Sequence, residues 1–353
     1  MQRELLNPTP DGEKPFRITN WNQNKRMNIN TKSFMRCIPA IAIAIPASIL
    51  MTACGGSGGD AVIPPVSPPV TPAVTEPGSN LVTQVPTPGY AAGSNELLAF
   101  ERLNADRERC GFGKLAQNAK LDASAAAHRA YMVANKVMTH IESQALPGFT
   151  GVNPLDRDIA QGYSGSIQED LTAGSFDSLW SFAGGDKQVA LLAGGTYHAG
   201  VVTDGYRDVG LSWGANAFAL EMGIPSGGAA QTASGVRTYP CEGSADVVNS
   251  ISLEEPNPFP GQSTAWGPTI SVIGDQVRIS GAAITGPAGS VAIRAIYADG
   301  QQADPNGRCQ INRACVIPVA LQLGTTYQVQ IAGTQGGQPF TKAFSFTTTQ
   351  RTI

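Results

Sequence analysis

Between Gly55 and Gly93 the chain has no means of building a core. The tract runs from Gly/Ser into repeated Pro, Val and Thr (Pro64-Pro65-Val66-Ser67-Pro68-Pro69-Val70-Thr71-Pro72). Proline fixes φ and removes a backbone donor, so such a stretch extends instead of packing. Folding is confined to the residues beyond Gly93, and residues 55–93 read as a tether. The residues ahead of the tether read as a targeting signal. Lys32 and Arg36 introduce an apolar run from Cys37 to Ala53 that is interrupted by Pro39 and Pro46. The run is short for a membrane span but fits the apolar region of a signal peptide.

Leu50-Met51-Thr52-Ala53-Cys54 resembles a bacterial lipobox, with Met51 an unusual residue at its place. Residues 1–54 are therefore expected to be a signal region, with Cys54 lipidated and the chain exported. The polar segment before the signal makes Met27 the expected start, and Gly55 favours the outer membrane or cell surface over the inner membrane. Export changes how the six cysteines are read. Setting Cys37 and Cys54 aside leaves four. Cys309 and Cys315 bracket a short loop and are expected to pair, which leaves Cys110 and Cys241 for a second bridge. Four cysteines allow three connectivities. No C-x-x-C spacing is present, which disfavours a thiolate zinc site.

The length of 353 residues allows two domains behind the tether. Charged residues make up 14%, and the net charge of -3 with no Lys/Arg cluster leaves no electrostatic footprint for nucleic acid. A first domain is expected over 94–240. Its opening is helical, with Ser94 or Asn95 as cap and Leu97, Phe100, Leu103 and Arg107 at helical spacing. A second helix is expected from Ala119 to His140, with Leu121, Ala125, His128 and Met132 on one face. A short helix near Pro154–Gln161 and another near Lys187–Ala193 come next, and then strands at 206–213 and 217–222. Residues 241–260 read as a connector, stiffened by Glu254-Glu255-Pro256-Asn257-Pro258-Phe259-Pro260. In 261–350 the period becomes two. Candidate strands at 269–273, 276–284, 290–297, 314–321, 327–332 and 341–347 predict a small antiparallel, immunoglobulin-like β-sandwich.

All three histidines fall between His128 and His198. His128, seven residues after Leu121 on the packed face, reads as structural, a neutral ring with one hydrogen bond. His140 comes after an apolar helical stretch, and His198 lies in Gly195-Thr196-Tyr197-His198-Ala199-Gly200. With Glu169 between them they form a set of two imidazoles and one carboxylate. That set suits zinc or another divalent metal, and equally a general base. Tyr163 and Tyr197 are the candidate cleft walls. Asn104 and Arg107 read as ties from the first helix to a neighbouring loop. No Gly-x-Ser-x-Gly elbow is present, so no nucleophilic serine is assigned.

The ordered set Leu103-Asn104-Ala105-Asp106-Arg107, Leu121…His128, Thr139-His140, Asp156-Arg157…Gly162-Tyr163, Glu169, Tyr197-His198 and Val209-Gly210 resembles the CAP superfamily. That family, of SCP-like extracellular domains, includes cysteine-rich secretory, antigen 5 and pathogenesis-related proteins. The tail looks like the β-sandwich that some bacterial members append. The resemblance implies an α+β fold, a CAP-type α-β-α sandwich whose cleft sets two histidines and one or two glutamates face to face and holds a divalent metal in some members. Carried onto this sequence, those positions are His140, Glu169 and His198. Three departures matter. Asp170 stands where the family has Asn, and Ala199 comes after the second His. The stretch between Glu169 and His198 carries only Asp177 and Asp186 where a second glutamate is expected. A metal would then rest on three ligands at most.

The expected function is a binding module, anchored to the membrane through its lipid, whose cleft takes a divalent metal or a lipid, cell-wall or protein ligand. The alternatives are a metal-assisted hydrolase of peptide or cell-wall material, with Glu169 as base, and a surface scaffold with a vestigial cleft.

Overall fold

The computed structural model describes residues 17–22, 79–174, 176, 183–214, 216–298 and 302–352. The apolar run at 37–53, the lipobox Cys54, the expected tether up to residue 78, and Asp177 lie outside these. The rest of the expected tether, 79–93, is instead tied to the folded domain: the Lys114 N–H donates to the Val82 carbonyl at 2.7 Å, the Tyr90 hydroxyl donates to Asp122 at 2.6 Å, and Val85 packs against the core. No helix among the described residues is long and apolar enough to cross a membrane.

In chain order the elements are β1 (Arg17–Asn22), α1 (Asn95–Arg109), β2 (Ala116–Gln117), α2 (Ala119–Asn135), α3 (Pro154–Ala160), β3 (Gly165–Ala173), α4 (Gly185–Gly194), α5 (Gly200–Thr203), β4 (Asp208–Gly214), β5 (Ala217–Pro225), β6 (Arg237–Tyr239), β7 (Ser244–Val247), β8 (Ile270–Ile273), β9 (Arg278–Gly286), β10 (Gly289–Val291), β11 (Ile293–Tyr297), β12 (Arg313–Pro318), β13 (Thr326–Gln335) and β14 (Gln338–Thr348). The first five strands form one sheet in the order β1-β3-β5-β4-β2. Its edge strand β1 comes from the polar segment ahead of the expected signal region. It runs antiparallel to β3, with Trp21 opposite Glu169.

The side-chain alternation of a strand sorts this sheet into two faces. Phe218, Leu220 and Met222 of β5 join Val209 and Leu211 of β4 in a core shared with Ala99, Phe100 and Leu103 of α1 and with Val189 and Leu192 of α4. Ala217 and Ala219 point the other way, to Ala125 and Met132 of α2, together with Leu171 of β3. Helices therefore cover both faces, in an α-β-α arrangement. Gly210 makes the close packing of α2 possible, since a Cβ there would lie 2.1 Å from the Leu121 carbonyl carbon.

Three expectations are met in detail. Ser94 caps α1, accepting from the Leu97 N–H at 3.1 Å. Leu121, Ala125, His128 and Met132 are all fully buried on α2. Asn104 ties α1 to the following loop through reciprocal bonds with Leu115, of 3.0 and 2.8 Å, while the buried Arg107 donates to the carbonyls of Gly113, Val201, Val202 and Asp204.

One helix boundary is corrected. α2 stops at Asn135, because Lys136 takes a left-handed conformation (φ 52°) and the N–H groups of Lys136 and Val137 turn back to carbonyls of the last turn. His140 therefore stands on a loop and not at a helix end.

The C-terminal half is rich in β-structure. It consists of two sheets, β10-β9-β13-β14-β7 and β11-β12-β8-β6, packed on a core that includes Val272, Ile279, Ile284, Val316, Val329, Ile331 and Phe346. The six expected strand regions all appear. Two features differ from the sequence-based expectation. Strands β6 and β7 come from residues assigned to the first domain and the connector, and β7 pairs in parallel with β14, so the sandwich is not wholly antiparallel. In β7 only Ser244 and Val247 are buried, which leaves no alternating apolar run to mark it in the sequence.

Candidate functional site

Strand β3 carries the centre of the site. Its sequence, Gly165-Ser166-Ile167-Gln168-Glu169-Asp170-Leu171-Thr172-Ala173, is buried from Ile167 onward even though four of those seven residues are polar. Alternation puts Glu169 on the same face as Leu171, toward α2 and α3. It directs Thr172 to the other face, where its hydroxyl meets Gln188 of α4 at 2.6 Å.

Glu169 is the hub. One carboxylate oxygen lies 2.6 Å from His140 Nδ1, and the other is bound by the Arg157 guanidinium from α3. His128 Nε2 lies 3.7 Å from that second oxygen. Burial alone would raise the Glu169 pKa. Arg157 first, then His128 and His140, outweigh burial and hold the carboxyl well below the usual range. An ionised carboxylate only accepts, so His140 donates from Nδ1 and its other ring nitrogen, Nε2, is the basic one. Burial pushes the His140 pKa down. The Glu169 contact opposes this, while the neighbouring His128 and His198 lower it further.

Arg157 also donates to the His140 carbonyl at 3.0 Å, which fixes the loop that carries the ring. His128 has two contacts where the sequence suggests one, 2.8 Å to Glu142 and 2.8 Å to the Thr139 carbonyl. Glu142 accepts in turn from the Thr150 N–H at 2.6 Å. The loop 139–151 is thus stapled to α2, and His128 is structural, as its place on the packed face predicts.

Glu254 is the partner of His198. It is fully buried, and its carboxylate accepts from the N–H groups of Thr196 (2.9 Å) and Tyr197 (2.7 Å) and from His198 Nδ1 (2.7 Å). His198 Nε2 is buried, with no hydrogen-bond partner among the described residues. Both site histidines therefore have a buried carboxylate behind the ring at Nδ1. The acids stand behind the imidazoles and not beside Nε2, and among the described residues no three His, Cys, Asp or Glu side chains form a group able to hold a metal ion.

Glu221 and Asp158 are not singled out by the sequence. Glu221 lies directly across from Glu169 in the β3–β5 register, and neither of its oxygens has a hydrogen-bond partner among the described residues. Burial, then the charges of Glu169 and Asp158, push its pKa well above the usual range. The second acid of this cluster comes from β5.

Burial also pushes Asp158 up to about 7 from its ordinary 3.8. A carboxyl raised in the folded state binds its proton there while the unfolded chain has already lost it. Its contribution to stability is complete below about pH 4 and declines as pH rises to about 7. Asp158→Asn should therefore flatten the pH dependence of the unfolding midpoint between pH 4 and 8. Wild type and variant should differ most at the alkaline end, with the variant more stable; parallel curves would contradict this assignment.

The two candidate cleft tyrosines are engaged elsewhere. Tyr163 packs with Leu121 and Ile167, and its hydroxyl donates to Asp208 at 3.2 Å. Tyr197 sends its hydroxyl to Asp304 of the β-rich half and accepts from Asn306 at 3.1 Å. Both expected disulfides are present, Cys110–Cys241 and Cys309–Cys315.

No protein-family model matches the chain, and no curated protein matches it. Among solved structures the chain is similar to an extracellular protein containing an SCP domain from Bacillus anthracis, at 16% identity over 36% of this chain and 40% of that one, with a TM-score of 0.31. It thus spans 40% of the length of that protein. It is also similar to PcoC, a copper resistance protein from Escherichia coli, at 18% identity over 31% of this chain and 94% of that one, with a TM-score of 0.20.

Proposed function

We propose that this chain is an exported, lipid-anchored envelope protein whose α-β-α domain is a binding module for a divalent metal of the zinc class, held by His140 and His198. The observation that carries the reading is the shared setting of each ring. A buried carboxylate sits on Nδ1 of both histidines, and in His198 the opposite nitrogen is buried without a partner among the described residues. Ligating histidines characteristically have such a carboxylate behind the ring, which fixes the tautomer and raises the basicity of the ligating nitrogen. Bound there, the ion would supply Lewis acidity at positions left open to an external ligand.

Binding is favoured over hydrolysis by the state of Glu169. A general base must be within reach of the proton it takes, and both Glu169 oxygens are engaged by His140 Nδ1 and Arg157. The two disulfides accord with a chain that folds outside the reducing cytosol. The lipobox at Cys54 and the tether behind it support anchoring.

Elemental analysis and calorimetry on wild type, His140→Ala and His198→Ala test the reading. The expected result is one zinc per chain in wild type, lost in both variants. Metal-free wild type with an intact fold would overturn the metal reading and leave the scaffold. Anchoring is tested separately, because Cys54→Ser should release the protein from the membrane fraction.

A further inference from the structure

We propose that Glu254 is a positioning residue for His198, so that half of the candidate site is built by the segment C-terminal to the α-β-α domain. The inference rests on the reading of His198 as a ligand. It goes beyond that reading in making the connector and the β-rich half parts of the site, where composition suggests only stiffness for the connector and no chemistry for the β-sandwich.

The segment from Gly194 to His198 is held almost wholly from outside its own domain. Glu254 takes two of its backbone N–H groups and the His198 ring. The Thr269 N–H donates to the Gly194 carbonyl at 2.9 Å, and the Thr196 and Thr269 hydroxyls meet at 2.8 Å. Tyr197 is clamped by Asp304 and Asn306. Asp304 is itself fixed by the N–H groups of Arg308 and Cys309, next to the Cys309–Cys315 bridge. Gly195 leaves the space this needs, since a Cβ there would stand 2.9 Å from Glu254 Oε1 and 3.3 Å from the His198 Cβ.

The chemistry is set by the acceptor. A carboxylate that already accepts from two N–H groups offers Nδ1 only acceptor oxygens, so the ring donates from Nδ1 and Nε2 keeps its lone pair. One carboxylate oxygen, Oε1, takes both the Tyr197 N–H and the ring, so a glutamine that keeps its carbonyl oxygen there still holds the proton on Nδ1, whereas methionine offers no acceptor at all. Without an acceptor the ring reverts toward the tautomer that carries the proton on Nε2, and that tautomer cannot ligate through Nε2. A purely structural Glu254 would cap the 194–198 turn without regard to the tautomer of the ring.

With only three histidines in the chain, ring-nitrogen NMR resolves the question in the full-length, metal-free protein. His198 in wild type should show a protonated Nδ1 and a bare Nε2. In Glu254→Met its signals should move toward the Nε2-protonated form, while those of His128 and His140 stay in place. Zinc affinity by calorimetry should fall about 10–100-fold. An Nε2-protonated His198 in wild type overturns the proposal without recourse to any variant. An unchanged tautomer, or an unchanged zinc affinity, in a folded Glu254→Met protein overturns it as well. Wild type that binds no zinc but still shifts its tautomer supports the positioning role and defeats only the metal reading.

Discussion

Arg157→Ala should cost about 3–5 kcal/mol of stability, the range for removing one partner of a buried ion pair. Arg157 and Glu169 are both fully buried, and the guanidinium also supports the His140 carbonyl and lies 3.9 Å from Glu142. Without it, the Glu169 carboxylate stays in a closed interior with Glu221 and Asp158 nearby and no permanent cation beside it. The penalty belongs to the stranded charge more than to the lost bond. For that reason Arg157→Met combined with Glu169→Gln should recover a substantial part of the loss, since both charges then leave together. Urea denaturation of wild type, Arg157→Ala, Glu169→Gln and the double variant at pH 7 checks this. A double variant no better than Arg157→Ala would show that the arginine acts through packing and its bond to the His140 loop and not through charge.

The ion pair also explains which parts of the site are legible in the sequence. His140 and His198 stand out in a chain with three histidines, and Glu169 is placed by the ordered motifs around it. Helix α1, the packed face of α2 and most of the C-terminal strands show clean apolar periodicity. Strand β3 does not. It is interior, yet Gln168, Glu169, Asp170 and Thr172 break both the alternating and the continuous apolar pattern. Those polar groups are tolerated because they meet one another and Arg157, His140 and Gln188, which only the folded register reveals. Glu221 is hidden for the same reason, in an otherwise apolar strand across from Glu169. Glu254 is hidden by its neighbours. A Glu-Glu-Pro-Asn-Pro run has the composition of an exposed connector, and nothing local shows that its first residue is fully buried against His198. Tyr197 misleads by proximity, because adjacency to His198 suggests a place in the site while its hydroxyl points to Asp304.

Removing the Cys110–Cys241 bridge should cost about 5 kcal/mol in the chain-entropy account, because it closes a loop with a sequence separation of 131. The Cys309–Cys315 bridge, with a separation of 6, should cost about 2 kcal/mol on the same reasoning. Guanidinium denaturation of Cys110→Ser/Cys241→Ser and of Cys309→Ser/Cys315→Ser, each against wild type, measures the contrast. The long bridge joins the end of α1 to the residues just after β6, a seam that also has noncovalent ties. Arg102 of α1 donates to the Ala245 carbonyl at 3.2 Å, and the Tyr239 hydroxyl lies 3.3 Å from Asp106. These contacts persist in the variant and hold the native arrangement together, so the loss should appear as a lower midpoint of one transition and not as a new intermediate. If the short bridge proves the costlier, its contribution is not loop entropy. It then acts by ordering the 304–309 loop that grips Tyr197, and that variant should also disturb the His198 ring. A loss of about 5 kcal/mol is comparable to the whole stability of many domains. Two disulfides of this kind accord with folding in an oxidising compartment.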